Sequence, residues 1–312
     1  MKNYVVSVAV VTYNPDRKKL LATLRSILRQ KNICFEIVIA DDGSAEPKFD
    51  AAEELFAEYG FTDYTLVRNA ENRGTVHNIN SALEKCTGTY VKVISPGDLL
   101  GSEDLLFNWI EAIKAAKADV SFCDAVYYTP GENAMIPVAR AANPQHVSCY
   151  LKNRAEKCRY NYLIFDDLFL GAAILCRTDV EKKYIGELIG KVTYAEDNMF
   201  RLMAYDRVPF HYYPHCGIIY ETSTGISTSG NDIWRQRLMQ DWDAVSRLLL
   251  ARCTGKDPID THLKRLLTLP KGGMKAKLIK HLLVPGMLCH RIQRKFFPRK
   301  TIPHLPSTEE TT

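Results

Sequence analysis

Residues 4–14 read YVVSVAVVTYN and residues 35–44 read FEIVIADDGS. Tyr4–Val11 is apolar apart from Ser7 and rich in valine. That is the pattern of a strand buried on both faces, as in parallel sheets. Asn14-Pro15-Asp16 breaks it. Leu20, Leu21, Leu24, Ile27 and Leu28 follow at helical spacing, with Arg17, Lys18, Arg25 and Arg29 on the other side. Phe35–Ala40 is a second strand, and Asp41-Asp42-Gly43-Ser44 after it is turn chemistry.

The same alternation continues outward. A helix places Ala51, Ala52, Leu55, Phe56 and Tyr59 on one face. Thr65–Arg68 is a short strand, Thr75–Lys85 a helix with Val76, Ile79 and Leu83 inward, and Tyr90–Ile94 a fourth strand ending in Ser95-Pro96-Gly97-Asp98. Repeated strand and helix predict an α/β fold, with a mostly parallel central sheet flanked by helices. Ligands of such sheets bind beyond the carboxyl ends of the strands. The polar clusters Thr12-Tyr13-Asn14, Asp41-Asp42, Asn69 to Gly74 and Ser95 to Asp98 fall at those ends.

Beyond residue 100 the pattern loosens. A helix is expected over Ser102–Lys117, and short strands over Val120–Cys123 and Val126–Tyr128. Thr129–Asn161 reads as irregular. Gly171–Cys176 reads as a strand and Asp179–Leu188 as a helix; a short helix opens at Glu196-Asp197 and runs to Tyr205. Strands follow at Val208–Tyr213 and Gly217–Tyr220, then an amphipathic helix over Ile233–Leu250. We expect one α/β domain over 1–230, its halves meeting near residue 100. A helical basic extension covers 231–312, with disordered last residues.

The 312-residue chain carries a net charge of +5 that is unevenly spread. Thr261–Thr308 holds eleven Lys or Arg and no acid, which leaves the rest net acidic. A basic segment on an acidic body points to an anionic partner surface. Nine scattered cysteines, none in a C-x-x-C pair, read as buried free thiols in a reducing compartment. No run approaches the roughly 18 apolar residues of a spanning helix, and no secretory signal is legible. The expected location is cytoplasmic, peripheral at most. Tyr13-Asn14-Pro15-Asp16 lacks the glycines of a dinucleotide fingerprint, and a phosphate-binding P-loop is missing as well. His211, His215 and Cys216 lack metal-ligand spacing. No aromatic-interleaved basic surface suggests nucleic acid.

Taken together, Val8–Asn14 (VAVVTYN), Ser26–Gln30 (SILRQ) and Ile37–Ser44 (IVIADDGS) resemble the inverting glycosyltransferases of family 2, which have the GT-A fold. Asn72-Arg73-Gly74, Asn80, Gly88 with Tyr90, and Glu196-Asp197 match further family motifs in order and spacing. The resemblance covers about residues 5 to 225. It implies a nucleotide-sugar donor, with uridine diphosphate the expected carrier, and a saccharide or lipid-linked saccharide acceptor in envelope or capsule polysaccharide synthesis. By this resemblance Thr12 and Tyr13 line the base pocket, and Asn14, Asn72, Arg73 and Asn80 lie on the donor side. An aromatic ring suits a flat base. Asp41 or Asp42 would accept from a base N–H, the bland alternative being a helix cap.

The family's D-x-D acids, which hold Mg²⁺ or Mn²⁺, are replaced here by Ser95 and Gly97. Only the trailing Asp98 remains as a metal candidate, because Mg²⁺ keeps waters readily. Asp197 is the expected general base, with Glu196 beside it to orient the acceptor or shift its pKa. Asp166, Asp167 and Gly171 are acceptor-side candidates. The basic tail, broken at Pro285-Gly286 into amphipathic helices, suits an anionic membrane surface. The lost acids leave a second reading open, a catalytically degenerate protein that binds nucleotide sugar or acts as a scaffold.

Overall fold

The computed structural model describes residues 3–132, 134–222, 232–269 and 273–300. The expected disordered end, 301–312, lies outside them. The first half alternates as the sequence predicts: β1 (Val6–Thr12), α1 (Arg17–Leu28), β2 (Phe35–Asp41), α2 (Phe49–Glu58), β3 (Tyr64–Arg68), α3 (Thr75–Lys85) and β4 (Tyr90–Ile94). Every residue of β1 is buried. Val6, Val8 and Val10 pack on one face with Leu20, Leu24 and Ile27 of α1. Ala9 and Val11 pack on the other with Val76, Ile79 and Leu83 of α3. The period-2 alternation of a strand thus feeds two separate cores, which is why the run is apolar throughout.

Then come β5 (Leu99–Leu100), α4 (Leu105–Ala116), β6 (Val120–Pro130), β7 (Met135–Val138), α5 (Ser148–Leu151) and α6 (Ala155–Ile164). A 3-10 turn (Gly171–Ala173) leads into β8 (Ile174–Arg177) and α7 (Thr178–Leu188). A second one (Glu196–Asn198) leads into α8 (Met199–Tyr205), followed by β9 (Phe210–Glu221) and α9 (Asp232–Arg252). The chain closes with α10 (Pro258–Leu267), α11 (Gly273–Leu283) and α12 (Pro285–Phe296). The sheet runs β3-β2-β1-β4-β8-β6-β9-β5, with β7 on β6. β1 pairs in parallel with β2 and β4, as do β2 with β3 and β6 with β9; the shorter pairings of β8, β5 and β7 are antiparallel.

Three expectations need correction. The two short strands expected between 120 and 128 are one, β6, and the two between 208 and 220 are one, β9. Each pair was split by a polar interruption, where the β6–β9 register shifts at Cys123, Asp124 and Ala125. A bulge puts extra residues in one strand without ending it. The expected irregular stretch 129–161 holds β7, α5 and most of α6. Cys158, Arg159, Asn161, Tyr162, Leu163 and Ile164 of α6 are all buried. Its first turn, Ala155 to Lys157, is exposed and the rest is covered, so the helix shows no amphipathic stripe to read.

The helices expected as an extension from 231 share the main core. Val245 and Leu249 of α9, Ile259 and Leu263 of α10, and Met287 of α12 pack in the cluster that holds Leu202 and Met203 of α8. Among the described residues no helix is long and apolar enough to cross a membrane.

Candidate active site

The carboxyl ends of β1 and β2 are tied together by side chains. Thr12 Oγ1 donates to Asp41 Oδ1 at 3.0 Å. Ser44 gives Asp41 two more bonds, from its backbone N–H to Oδ2 at 2.7 Å and from its hydroxyl to Oδ1 at 2.5 Å. The Asn14 N–H donates to Ser44 Oγ at 2.6 Å. Asp42 faces the next loop, where Oδ1 accepts from the Arg73 N–H at 3.1 Å and Oδ2 from the Gly74 N–H at 2.8 Å. Both aspartates are buried; Asp41 closes its own turn through Ser44 and Asp42 braces the loop at Arg73-Gly74, whereas the next helix, α2, follows Lys48 with no side-chain cap. Two carboxylates offer about eight lone-pair positions, so acceptor capacity remains for a ligand.

Gly74 starts α3 with φ +91°, and a Cβ there would lie 2.4 Å from Thr193 Cγ2 and 2.6 Å from Thr193 O. The α3 terminus and the segment before Glu196 therefore touch, which joins the two halves of the site. Tyr13 stands out from this end with 53% of its surface exposed. Asn72 and Arg73 are exposed as well. Asn80 turns away, its amide donating to Glu84 Oε1 at 2.9 Å. Its place is taken by Asn78, which sequence reasoning missed. The Asn78 amide donates to Thr12 O at 3.2 Å and Ala40 O at 3.0 Å. The available signal was a polar residue among Val76, Ile79 and Leu83 on the buried face.

Asp98 is 6% exposed. Its Oδ1 accepts from the Glu221 N–H at 3.0 Å, which pins the end of β9 to the turn after β4. Burial raises its pKa to about 7, against the pull of that N–H and of the Lys92 charge.

The other end of the site is built on Glu196 and Asp197. The N–H groups of Thr193, Tyr194 and Ala195 converge on the Asp241 carboxylate of α9 at 2.9, 2.7 and 3.0 Å. One buried acid from another helix thus fixes the run into Glu196. Gly171 lies against Asp197; a Cβ on it would sit 3.3 Å from Asp197 Cβ. The Gly171–Ala173 turn is held by Lys92 of β4, whose ammonium is buried and donates to Ala172 O at 2.6 Å and Val93 O at 2.7 Å. Arg201 of α8 pairs with Asp166 at 3.0 Å, and its guanidinium lies 4.1 Å from the centre of the Trp242 ring.

Asp197 is open to solvent at its surface yet surrounded by protein atoms. That crowding raises its pKa, and the Arg201 charge opposes the rise. Glu196 is pushed further, to about 8, by loss of water and then by the Asp197 charge. Burial and the Asp197 charge favour the protonated form of Glu196, while the Arg201 charge favours the ionised form of Asp197. When the surroundings of neighbouring acids drive their proton affinities apart, the acids take different chemical roles. Asp166 and Gly171 join this cluster. Asp167 does not; its carboxylate turns to the Gln145 and His146 backbone. Arg201, Trp242 and Asp241 were not singled out from sequence. Arg201 stood as a charge inside Met199-Phe200-Arg201-Leu202, whereas Asp241 lies 44 residues past Asp197 with no local mark.

The family model for glycosyl transferase family 2 matches residues 7–177. An uncharacterized glycosyltransferase of Methanocaldococcus jannaschii is 28% identical over 127 residues, 35% of this chain and 43% of that protein. One of Bacillus subtilis is 29% identical over 109 residues, 34% of this chain and 26% of that protein. The matched stretch is thus less than half the length of these curated relatives. Among solved structures, a mannosyltransferase of Pyrobaculum calidifontis, in complex with GDP-Man and Mn²⁺, aligns with a TM-score of 0.58 and 18% identity over 99% of this chain and 78% of that one. TarS of S. aureus, in complex with UDP-GlcNAc, aligns with a TM-score of 0.57 and 17% identity over 89% of this chain and 73% of that one. These likenesses show the fold, which is the GT-A arrangement. With more than half its length matched by one family model, this chain belongs to glycosyl transferase family 2.

Proposed function

We propose that the protein transfers a sugar from a nucleotide diphosphate donor to a saccharide hydroxyl with inversion at the anomeric carbon. The observation that carries this is the close approach of Gly74 to Thr193, which brings the Glu196-Asp197 pair to the braced strand ends of Thr12, Asp41 and Asp42. The exposed Tyr13 ring stacks on the base, and a remaining lone pair of Asp41 or Asp42 accepts from it. The acceptor hydroxyl gives its proton to Asp197 as its oxygen attacks the anomeric carbon. The bond from that carbon to the diphosphate oxygen breaks on the opposite face, and the nucleotide diphosphate leaves. Neutral Glu196 donates a hydrogen bond that orients the acceptor, while Asp166 and Arg201 shape its side of the cleft.

Donors of two kinds accompany the structural neighbours, UDP-GlcNAc in TarS and GDP-Man in the Pyrobaculum enzyme. The uridine carrier expected from sequence stays within this proposal. Mn²⁺ accompanies GDP-Man in the latter. The residues here do not fit a D-x-D ion. Ser95 and Gly97 offer no carboxylate, and Asp98 is buried with one oxygen on a backbone N–H. Among the described residues no cluster of metal-binding side chains includes Asp98. We therefore assign Asp98 a structural role and give the diphosphate charge to protein groups, including the exposed Arg73.

The setting we propose is envelope polysaccharide synthesis with a saccharide or lipid-linked acceptor, at an anionic membrane face. Leu278, Leu282, Leu288, Ile292, Phe296 and Phe297 are exposed on and beside α11 and α12, among Arg291 and Lys295. Exposed apolar groups beside cations suit an interfacial helix. Cutting the chain after residue 262 would strip Leu263 and Met287 from the core. The test is therefore Leu282→Gln with Phe297→Gln, which should reduce flotation with anionic liposomes; unchanged flotation would remove the membrane from the account.

Transfer itself is tested by nucleotide diphosphate release across a panel of UDP- and GDP-sugars. Wild-type protein should release it from one donor, and Asp197→Asn should lose about 10²-fold to 10⁴-fold in rate with donor affinity unchanged. Donor binding with no release by wild-type protein, whatever the acceptor, would favour the binding or scaffold reading that the lost D-x-D acids raise.

A further inference from the structure

Asp167 is adjacent in sequence to Asp166 but belongs to a different cluster. Its buried carboxylate meets His146 from the loop before α5 and His290 from α12. His146 Nδ1 lies 3.1 Å from Asp167 Oδ2 and 3.0 Å from His290 Nδ1. His290 Nε2 is 3.9 Å from Asp167 Oδ1. Asp167 and His290 are buried, and His146 is only partly open. Among the described residues this is the one group of three or more metal-ligating side chains that converges.

The surroundings are those of a ligand set. His146 Nε2 lies 3.0 Å from Gln293 Oε1, an acceptor. A proton placed on Nε2 to make that bond leaves Nδ1 as a lone pair facing a carboxylate oxygen. Ring nitrogens oriented by a hydrogen bond on their far side are typical of metal-bound histidine. The Asp167 carboxylate is aligned in the same manner by the N–H groups of Gln145 at 2.7 Å and His146 at 2.9 Å. The Phe165 ring stacks on His290 with centroids 5.6 Å apart and fixes the plane of the imidazole. Ligands on a tetrahedral ion with bonds of about 2.0–2.1 Å lie about 3.3 Å apart. The closest separations here approach that value.

We propose that His146, Asp167 and His290 form a binding site for a divalent first-row transition ion, zinc foremost, that fastens α12 to the body of the protein. Two imidazoles and one carboxylate select such an ion over Mg²⁺, which takes oxygen ligands. Water completes the coordination. The ligands come from residues 144 apart in sequence, so the ion would close a long loop. Because Asp167 follows Asp166, it would also steady the turn that presents Asp166 to Arg201. This site is distinct from the donor cleft, and its ion takes no part in transfer.

The test uses the full chain, stripped with chelator and free of nucleotide. Titration with Co²⁺ should give visible bands of a low-coordinate nitrogen and oxygen site, saturating at one ion per chain. Zn²⁺ should displace the bands and Mg²⁺ should not. His290→Phe keeps an aromatic ring in the core and should weaken Co²⁺ binding at least about tenfold. His146→Gln, at a partly open position, should do the same and guards against misfolding of the first variant. Asp98→Asn should leave the titration unchanged. Absence of bands in wild-type protein, equal binding by a soluble histidine variant, or loss of binding in Asp98→Asn would each overturn the proposal.

Discussion

The two ends of the proposed site, the donor end at β1 and β2 and the acceptor end at Glu196 and Asp197, are held by different physics. At the donor end short-range bonds do the work: Thr12, Ser44 and Asn78 tie β1, β2 and α3 through hydroxyl, amide and backbone groups. At the acceptor end the contributing groups arrive from far apart. Asp241 of α9 fixes the run into Glu196, Arg201 of α8 acts on Asp197 and stacks on Trp242, and Lys92 of β4 holds the turn of Gly171 against Asp197. A brace of polar bonds suits recognition of a fixed nucleotide. A crowd of coupled charges sets proton affinity, which transfer needs.

The largest way to break this contrast is Asp241→Ala. It leaves three backbone N–H groups without their acceptor. An orphaned buried donor costs about 1–3 kcal/mol; one of these is buried and two are partly buried, so we expect about 3 kcal/mol of lost stability in chemical denaturation. Turnover should fall with it, while donor affinity changes little in the fraction that remains folded. Equal damage to donor binding would mean that the two ends are not separable.

A smaller effect sharpens the electrostatic half. Burial raises Asp98 to about 7 and raises Glu196 and Glu181, a buried acid of α7, to about 8. Unfolded carboxyls titrate near 4, so between about pH 4 and 8 the folded state holds protons that the unfolded state releases. Stability therefore falls as pH rises through that window. The denaturation midpoint should drop from pH 5 to pH 8. Glu181→Gln should recover at least about 1.4 kcal/mol of that drop, the worth of one pKa unit. A flat profile in wild-type protein would contradict the buried acids.

The smallest effect belongs to the donor end. Tyr13 is exposed, so Tyr13→Ala should leave stability unchanged. Loss of an aromatic stack worth about 0.5–1.5 kcal/mol should weaken donor binding about threefold to tenfold. Unchanged affinity would place the base elsewhere.

Legibility in the sequence follows the same division. Strands and helices up to β4 were readable because each apolar period there faces one core, and the turn acids sit next to the strands they serve. Asp41, Asp42 and Asp197 were readable as candidates through motif order. The bulged strands β6 and β9 were not readable as single strands, because a local polar break looks like a turn. α6 was missed because it is exposed at its first turn and covered beyond it, which leaves no stripe along the helix. Asn80 and Asp167 were named from position, and the fold turns their side chains to Glu84 and to His146. Asp241 was out of reach, since its meaning lies in three N–H groups of a distant segment.

The central claim is a nucleotide-sugar site at the ends of β1 and β2 that works without a D-x-D metal. Calorimetric titration of UDP- and GDP-sugars, in chelator and again with Mn²⁺, tests it directly. The account predicts that one donor binds in chelator and that Mn²⁺ changes its affinity by less than about threefold, which is under 1 kcal/mol. Binding seen only with Mn²⁺ and lost in Asp98→Asn would contradict the metal-free site, and no binding by any donor under either condition would contradict the transferase.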